Sequence, residues 1–192
     1  MAALKSLLVA IVIIVLIIGV GLILLNRGLY DVAADARGSP IVQRFIVFVR
    51  NRSIDAHARD ISVPPLNDPR MLALGAAHYA EMCTTCHLAP GSKDSELRAG
   101  LDPMPPNLTR EGGRLGPAKT YWIIKHGIRM TAMPAWGRTH DERALWALTA
   151  FVEKLPTLSV DDYHKLLGQS GGQTEEPADE EHEHEHEHEH SP

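Results

Sequence analysis

The residues best suited to chemistry are Cys83-Thr84-Thr85-Cys86-His87, a C-x-x-C-H run. Thiols three positions apart share one face of a helical turn, where each can bond one of the two vinyl groups of a haem. The histidine that follows is placed to offer its imidazole to the iron. Three other uses of cysteine compete with this one. A thioredoxin-like redox pair belongs to a βαβ unit, and no strand pattern precedes this run. A zinc finger needs a second ligand pair, but the chain has only 2 cysteines. Two inert core cysteines need no adjacent histidine. The spacing therefore predicts one covalent haem c, bonded to Cys83 and Cys86, with His87 as an axial iron ligand.

A second axial ligand has to come from elsewhere in the chain. Of 6 methionines, Met1 precedes an apolar segment that places it across a membrane from the haem. Met71 and Met82 share the helix that delivers the cysteines. Met104, Met130 and Met133 remain, with His126 as a nitrogen alternative. Met133 lies in an aperiodic stretch between two predicted helices and is followed by Pro134, whose fixed φ stiffens the loop. Met133 is the expected ligand. The indole of Trp136, three residues on, can serve a haem carboxylate or pack in the core.

The elements that must hold these groups are all helical. Leu7 to Leu25 is an uninterrupted apolar run of 19 residues, about 28 Å long as a helix and close to the ~30 Å thickness of a bilayer core. It exceeds a signal-peptide h-region, so an uncleaved anchor is expected. Pro40 to about Asp60 reads as an amphipathic, basic helix with Ser39 as N-cap. It either lies on lipid headgroups or packs as a spacer on the domain that follows. Pro64-Pro65 marks a boundary, and Asp68-Pro69 opens the helix leading to the cysteines. Residues 89–117 are rich in Gly and Pro and read as a long loop, which is unusual unless it wraps something. A short helix starts at Pro117 or Thr120 and ends at Gly127. The last helix has Thr139 and Glu142 as a capping box, with Leu145, Leu148, Val152 and Leu155 on one face. The expected organisation is an anchor at 1–27, a juxtamembrane helix and linker at 28–65, a helical domain at 66–168 and an acidic tail at 169–192.

Composition narrows the classes. The chain has 192 residues and a formal charge of −5, but nine of its acids fall in the last 20 residues, so residues 1–172 are basic by about four. That excess is scattered, whereas nucleic-acid binding wants clustered Lys and Arg. Ten aromatic residues are few for a core of this size, and a haem would itself contribute apolar bulk. The tail is low-complexity and is expected to be disordered. Its His182, His184, His186, His188 and His190 alternate with Glu, a pattern able to chelate Cu(II), Ni(II) or Zn(II) weakly. Lys93, Lys119, Lys125 and Arg129 form either a docking patch or ordinary solvated charge.

Several segments together resemble the class I monohaem cytochromes c, in particular the bacterial domains of oxidase subunits and membrane-anchored carriers. These segments are Tyr79 to His87, Pro105-Pro106-Asn107-Leu108, Tyr121 to Trp136, and Leu145-Trp146-Ala147-Leu148. The resemblance spans about residues 68–156. It implies a cytochrome c fold of three to five helices around one covalent haem, with His87 and Met133 as axial ligands. It also implies one-electron transfer through an exposed haem edge, with no substrate turnover. In that family a small residue on the first helix packs against an aromatic on the last, here Gly75 or Ala76 against Trp146 or Phe151. Such haems are attached outside the cytoplasm. The expected setting is therefore a bacterial cytoplasmic membrane, crossed once, with the haem domain in the periplasm. The expected partners are a membrane oxidase, a dehydrogenase or a soluble cytochrome. The alternatives are a haem c subunit of a larger oxidase or dehydrogenase complex, and a metal-binding or redox-sensing cytochrome using the tail.

Overall fold

Where helices end in this chain is largely a matter of which side chains reach their free backbone groups. The computed structural model describes residues 2–36 and 38–170. The first helix, α1 (Ala2–Asn26), extends the apolar run at both ends and is long and apolar enough to cross a membrane. The second, α2 (Pro40–His57), starts at the expected proline, although the Ser39 side chain makes no capping hydrogen bond. Its first half is exposed, including Phe45 and Phe48, while Ile54 near its end is buried. The half that packs is thus the second one. Asp68 caps α3 (Pro69–Met82) by accepting from the Arg70 N–H at 2.8 Å.

The chain then turns through α4 (Thr84–His87). The stretch expected to be one loop contains two single turns, α5 (Glu96–Ala99) and α6 (Leu108–Glu111). Their caps, Ser95 and Asn107, explain them: each side-chain oxygen accepts a backbone N–H of the following turn. Next come α7 (Pro117–His126) and α8 (Glu142–Lys154). The cap of α8 is Asp141, whose carboxylate accepts from the Ala144 N–H at 2.8 Å. The expected Thr139 is instead taken up by the 3-10 turn Trp136–Arg138, bonding the Trp136 carbonyl and His140. A helix absent from the sequence reading, α9 (Val160–Ser170), follows. Its start is held by reciprocal bonds between Ser159 and Asp162. No strand occurs among the described residues.

The core forms where α3 crosses α8, with α7 and α9 packed beside that pair. Leu145, Leu148 and Phe151 of α8 are fully buried, as is Tyr79 of α3. Each large apolar side chain so buried stabilises the fold by roughly 1.5–3 kcal/mol. Tyr79 and Phe151 meet with ring centroids 5.1 Å apart, and Tyr121 stacks on Trp146 at 4.0 Å. The crossing is close because position 75 carries no side chain. A Cβ there would lie 2.0 Å from the Ala147 carbonyl oxygen and 2.8 Å from Phe151 Cβ. Among the pairings the resemblance implies, Gly75 against Phe151 is therefore present.

Gly75→Ala forces these two helices apart. It should lower stability by about 1–3 kcal/mol, the usual range for overpacking, as measured by urea denaturation. Gly168→Ala, which meets nothing within 4 Å, should not lower it.

Candidate functional site

Four walls enclose a cavity of about 530 Å³, within the roughly 300–1,000 Å³ of small-molecule and cofactor sites. One wall is the end of α3 with α4, which brings Cys83, Cys86 and His87 to the cavity. A second is the segment from Pro103 to Leu115, a third is α7 with the loop after it, and a fourth is α2. Most of the lining is apolar, with Leu108, Ile123, Ile124 and Ile128 among it.

His87 is held from both ends. Its ring Nδ1 donates to the Pro106 carbonyl at 2.9 Å, which fixes the tautomer and leaves the Nε2 lone pair free. Burial holds His87 below its ordinary pKa; the Pro106 bond opposes that and the nearby Arg98 charge reinforces it. The ring is thus neutral and able to ligate. Behind it, the buried Tyr79 hydroxyl donates to the Leu88 carbonyl at 2.6 Å and to that of His87 at 3.3 Å. Leu88 has φ +67°, and this bond holds the backbone at that turn.

Both cysteines are free thiols and half-buried. Burial pushes Cys83 up to about 12, and Cys86 adds to the shift. A thiol–disulfide enzyme needs the opposite, a thiol whose pKa is lowered so that the thiolate is present at neutral pH. A thiol held protonated at Cys83, with Cys86 beside it on an apolar cavity and a neutral imidazole next to both, instead suits a haem bonded through its vinyl carbons.

Met133 reaches the cavity from the loop after α7. That loop is closed on itself. The Ile128 N–H donates to the Met133 carbonyl at 3.1 Å, and the Met133 N–H donates to Thr131 Oγ1 at 3.1 Å. Thr131 Oγ1 in turn donates to the Ile128 carbonyl at 2.7 Å. Gly127 lets the loop return so closely: its φ is +64°, and a Cβ would fall 2.6–2.7 Å from backbone atoms of Met133 and Pro134. Of the rival ligands, Met130 is 86% exposed and neither it nor His126 lines the cavity. Met104 does line it, as does Met82 despite its place on the cysteine helix. Trp136 lines it too, alongside Met133 and Pro134.

Two of the four cations considered as a docking patch are engaged elsewhere. Lys119 pairs with Asp55 of α2 at 2.5 Å, and Lys125 bonds Glu142 and Tyr121. The tail with His182, His184, His186, His188 and His190 lies outside the described residues.

Residues 70–152 match the family model described as cytochrome C oxidase, cbb3-type, subunit III. This region, all helical and built around the C-x-x-C-H turn, is a c-type cytochrome domain of the oxidase-subunit type with the cytochrome c fold. Its function is haem-based electron transfer. The sequence reading missed the positioning roles of Tyr79, Pro106 and Gly127. Only Gly127 carries a local signal, a helix-ending glycine, and that signal says nothing about how close Met133 comes.

Tyr79→Phe leaves the Leu88 carbonyl without its buried donor. It should cost about 1–3 kcal/mol, read by urea denaturation. Gly127→Ala should cost at least as much, because it adds strain at a positive φ to the clash with Met133.

Proposed function

We propose that this chain is a one-electron carrier with a single haem c bonded to Cys83 and Cys86 and ligated by His87 and Met133, working on the periplasmic face of a membrane. The observation that carries this reading is the convergence of these four side chains on one apolar cavity from two separate walls. When bound, the haem iron supplies a one-electron couple whose potential a thioether ligand raises. The protein does the rest. The Pro106 carbonyl keeps His87 in the tautomer with a free Nε2. The bonds within Ile128–Met133 hold the loop that carries the thioether. Apolar walls keep water away, so little solvent has to reorient when the charge changes. With His87 and Met133 both serving as ligands, a bound haem would leave no position open for a substrate, and the role would be transfer alone.

The helix α1 supports a single-pass anchor. A haem attached outside the cytoplasm puts Lys5 on the cytoplasmic side and residues 66–168 in the periplasm. There a membrane oxidase, a dehydrogenase or a soluble cytochrome can exchange electrons with the haem domain. A second reading has its own support. The matched family is described as an oxidase subunit, and a subunit would co-purify stoichiometrically with its complex, whereas a free carrier would purify alone.

Met133→Ala should convert a six-coordinate low-spin haem into a five-coordinate or misligated one, with loss of the weak far-red ferric band of thioether ligation. Met130→Ala and His126→Ala should leave the absorption spectrum as it is. An unchanged Met133→Ala spectrum would remove Met133 as ligand and direct attention to Met104.

A further inference from the structure

The wall formed by α2 comes from outside the matched residues 70–152, yet Arg50, Asn51, Ile54 and Asp55 all line the cavity. Their spacing of i, i+1, i+4 and i+5 puts them along one side of the helix. Lys119 in the first turn of α7, and Arg114 and Glu111 just before that helix, line the cavity too. The three cations differ in their company. Lys119 Nζ lies 2.5 Å from Asp55 Oδ1, and Arg114 Nη1 lies 3.5 Å from Glu111 Oε2. Arg50 is half-buried and has only a neutral partner, with its Nε and Nη2 donating to Asn51 Oδ1 at 3.1 and 3.0 Å. Among the described residues no acid pairs with it.

A guanidinium lining a mostly apolar cavity without a counter-charge is matched to an anion that the occupant brings with it. A haem brings two carboxylates, carried on the edge of the macrocycle remote from the vinyl carbons that thiols bond. The thiols sit on the wall made by α3 and α4, whereas α2 packs against α7 and forms a different wall. We infer that α2 is a carboxylate-binding wall for the haem, with Arg50 pairing one propionate and Lys119, held against α2 by Asp55, beside it. This rests on the haem reading above and extends it to a helix that the family model does not cover.

The pairing has an electrostatic consequence. A carboxylate near the iron favours the oxidised state, and a cation set against it favours the reduced state. Arg50 thereby raises the reduction potential, and it keeps that carboxyl ionised across neutral pH. A merely structural arginine would do neither.

The test uses full-length haem-loaded protein in its wild-type, Arg50→Gln, Arg50→Lys and Arg44→Gln forms. Arg44 lies on the exposed first half of α2 and does not line the cavity. The readouts are the reduction potential between pH 5 and 9 and the propionate-bending band in the resonance Raman spectrum. Arg50→Gln should lower the potential, give it a new dependence on pH near neutrality as the freed carboxyl titrates, and shift the band. Arg50→Lys should keep most of the potential but shift the band, because an ammonium does not reproduce the bidentate contact. Arg44→Gln should match the wild type. An Arg50→Gln protein with the wild-type potential, pH profile and band would overturn the inference while leaving the haem site intact. If that variant does not fold, an unmoved band in Arg50→Lys overturns it equally. A wild-type protein without haem would instead overturn the reading on which the inference rests.

Discussion

Everything in the domain is arranged around the backbone contact between α3 and α8. The two helices touch where Gly75 meets the Ala147 carbonyl, and this fixes the direction in which α3 delivers its C-terminal end. Tyr79, one turn further on, is locked between Phe151 and the carbonyls after the cysteine turn. The position of Cys83, Cys86 and His87 is therefore set by packing of α3 against α8 one to two turns before the cavity-lining Met82 and Cys83. A larger residue at 75 would disturb the site although it touches no part of it, because the lever arm is a rigid helix.

The opposite walls are held differently. The segments around Pro106 and Met133 have little regular structure and few buried side chains of their own, so hydrogen bonds do the positioning. The Pro106 carbonyl takes the His87 ring proton, and Thr131 and Ile128 knot the loop that carries Met133. Proline and glycine suit such walls: prolines at 103, 105, 106 and 134 limit backbone freedom, and Gly127 admits the close return. One side of the cavity thus rests on hydrophobic packing and the other on a hydrogen-bonded frame.

Much of this was readable from the residues, for identifiable reasons. The C-x-x-C-H spacing, the Asp68-Pro69 start and the Pro117 to Gly127 helix are local signals, and local geometry obeys them. The apolar row Leu145, Leu148, Val152 and Leu155 is buried as its periodicity requires. What escaped notice depends on contacts distant in sequence. The cap of α8 shifted from Thr139 to Asp141 because a 3-10 turn claimed the threonine. Nothing local marks α9 as essential, since its Tyr163 becomes buried only against α3 and α8. The pattern of α2 showed an amphipathic helix but not that its last two turns close the cavity. The Pro106 carbonyl is a backbone acceptor 19 positions from His87, and no side-chain motif announces it.

The central claim is that the cavity holds a haem bonded through Cys83 and Cys86, and the most direct measurement is the fate of the chromophore when the purified protein is denatured. The protein should show low-spin absorption bands, oxidised and dithionite-reduced, and the haem should stay with the polypeptide after acid–acetone extraction. Both properties should be lost together in a Cys83→Ala, Cys86→Ala double variant. A wild-type chain that carries no haem, or releases it intact into the organic phase, would contradict the account.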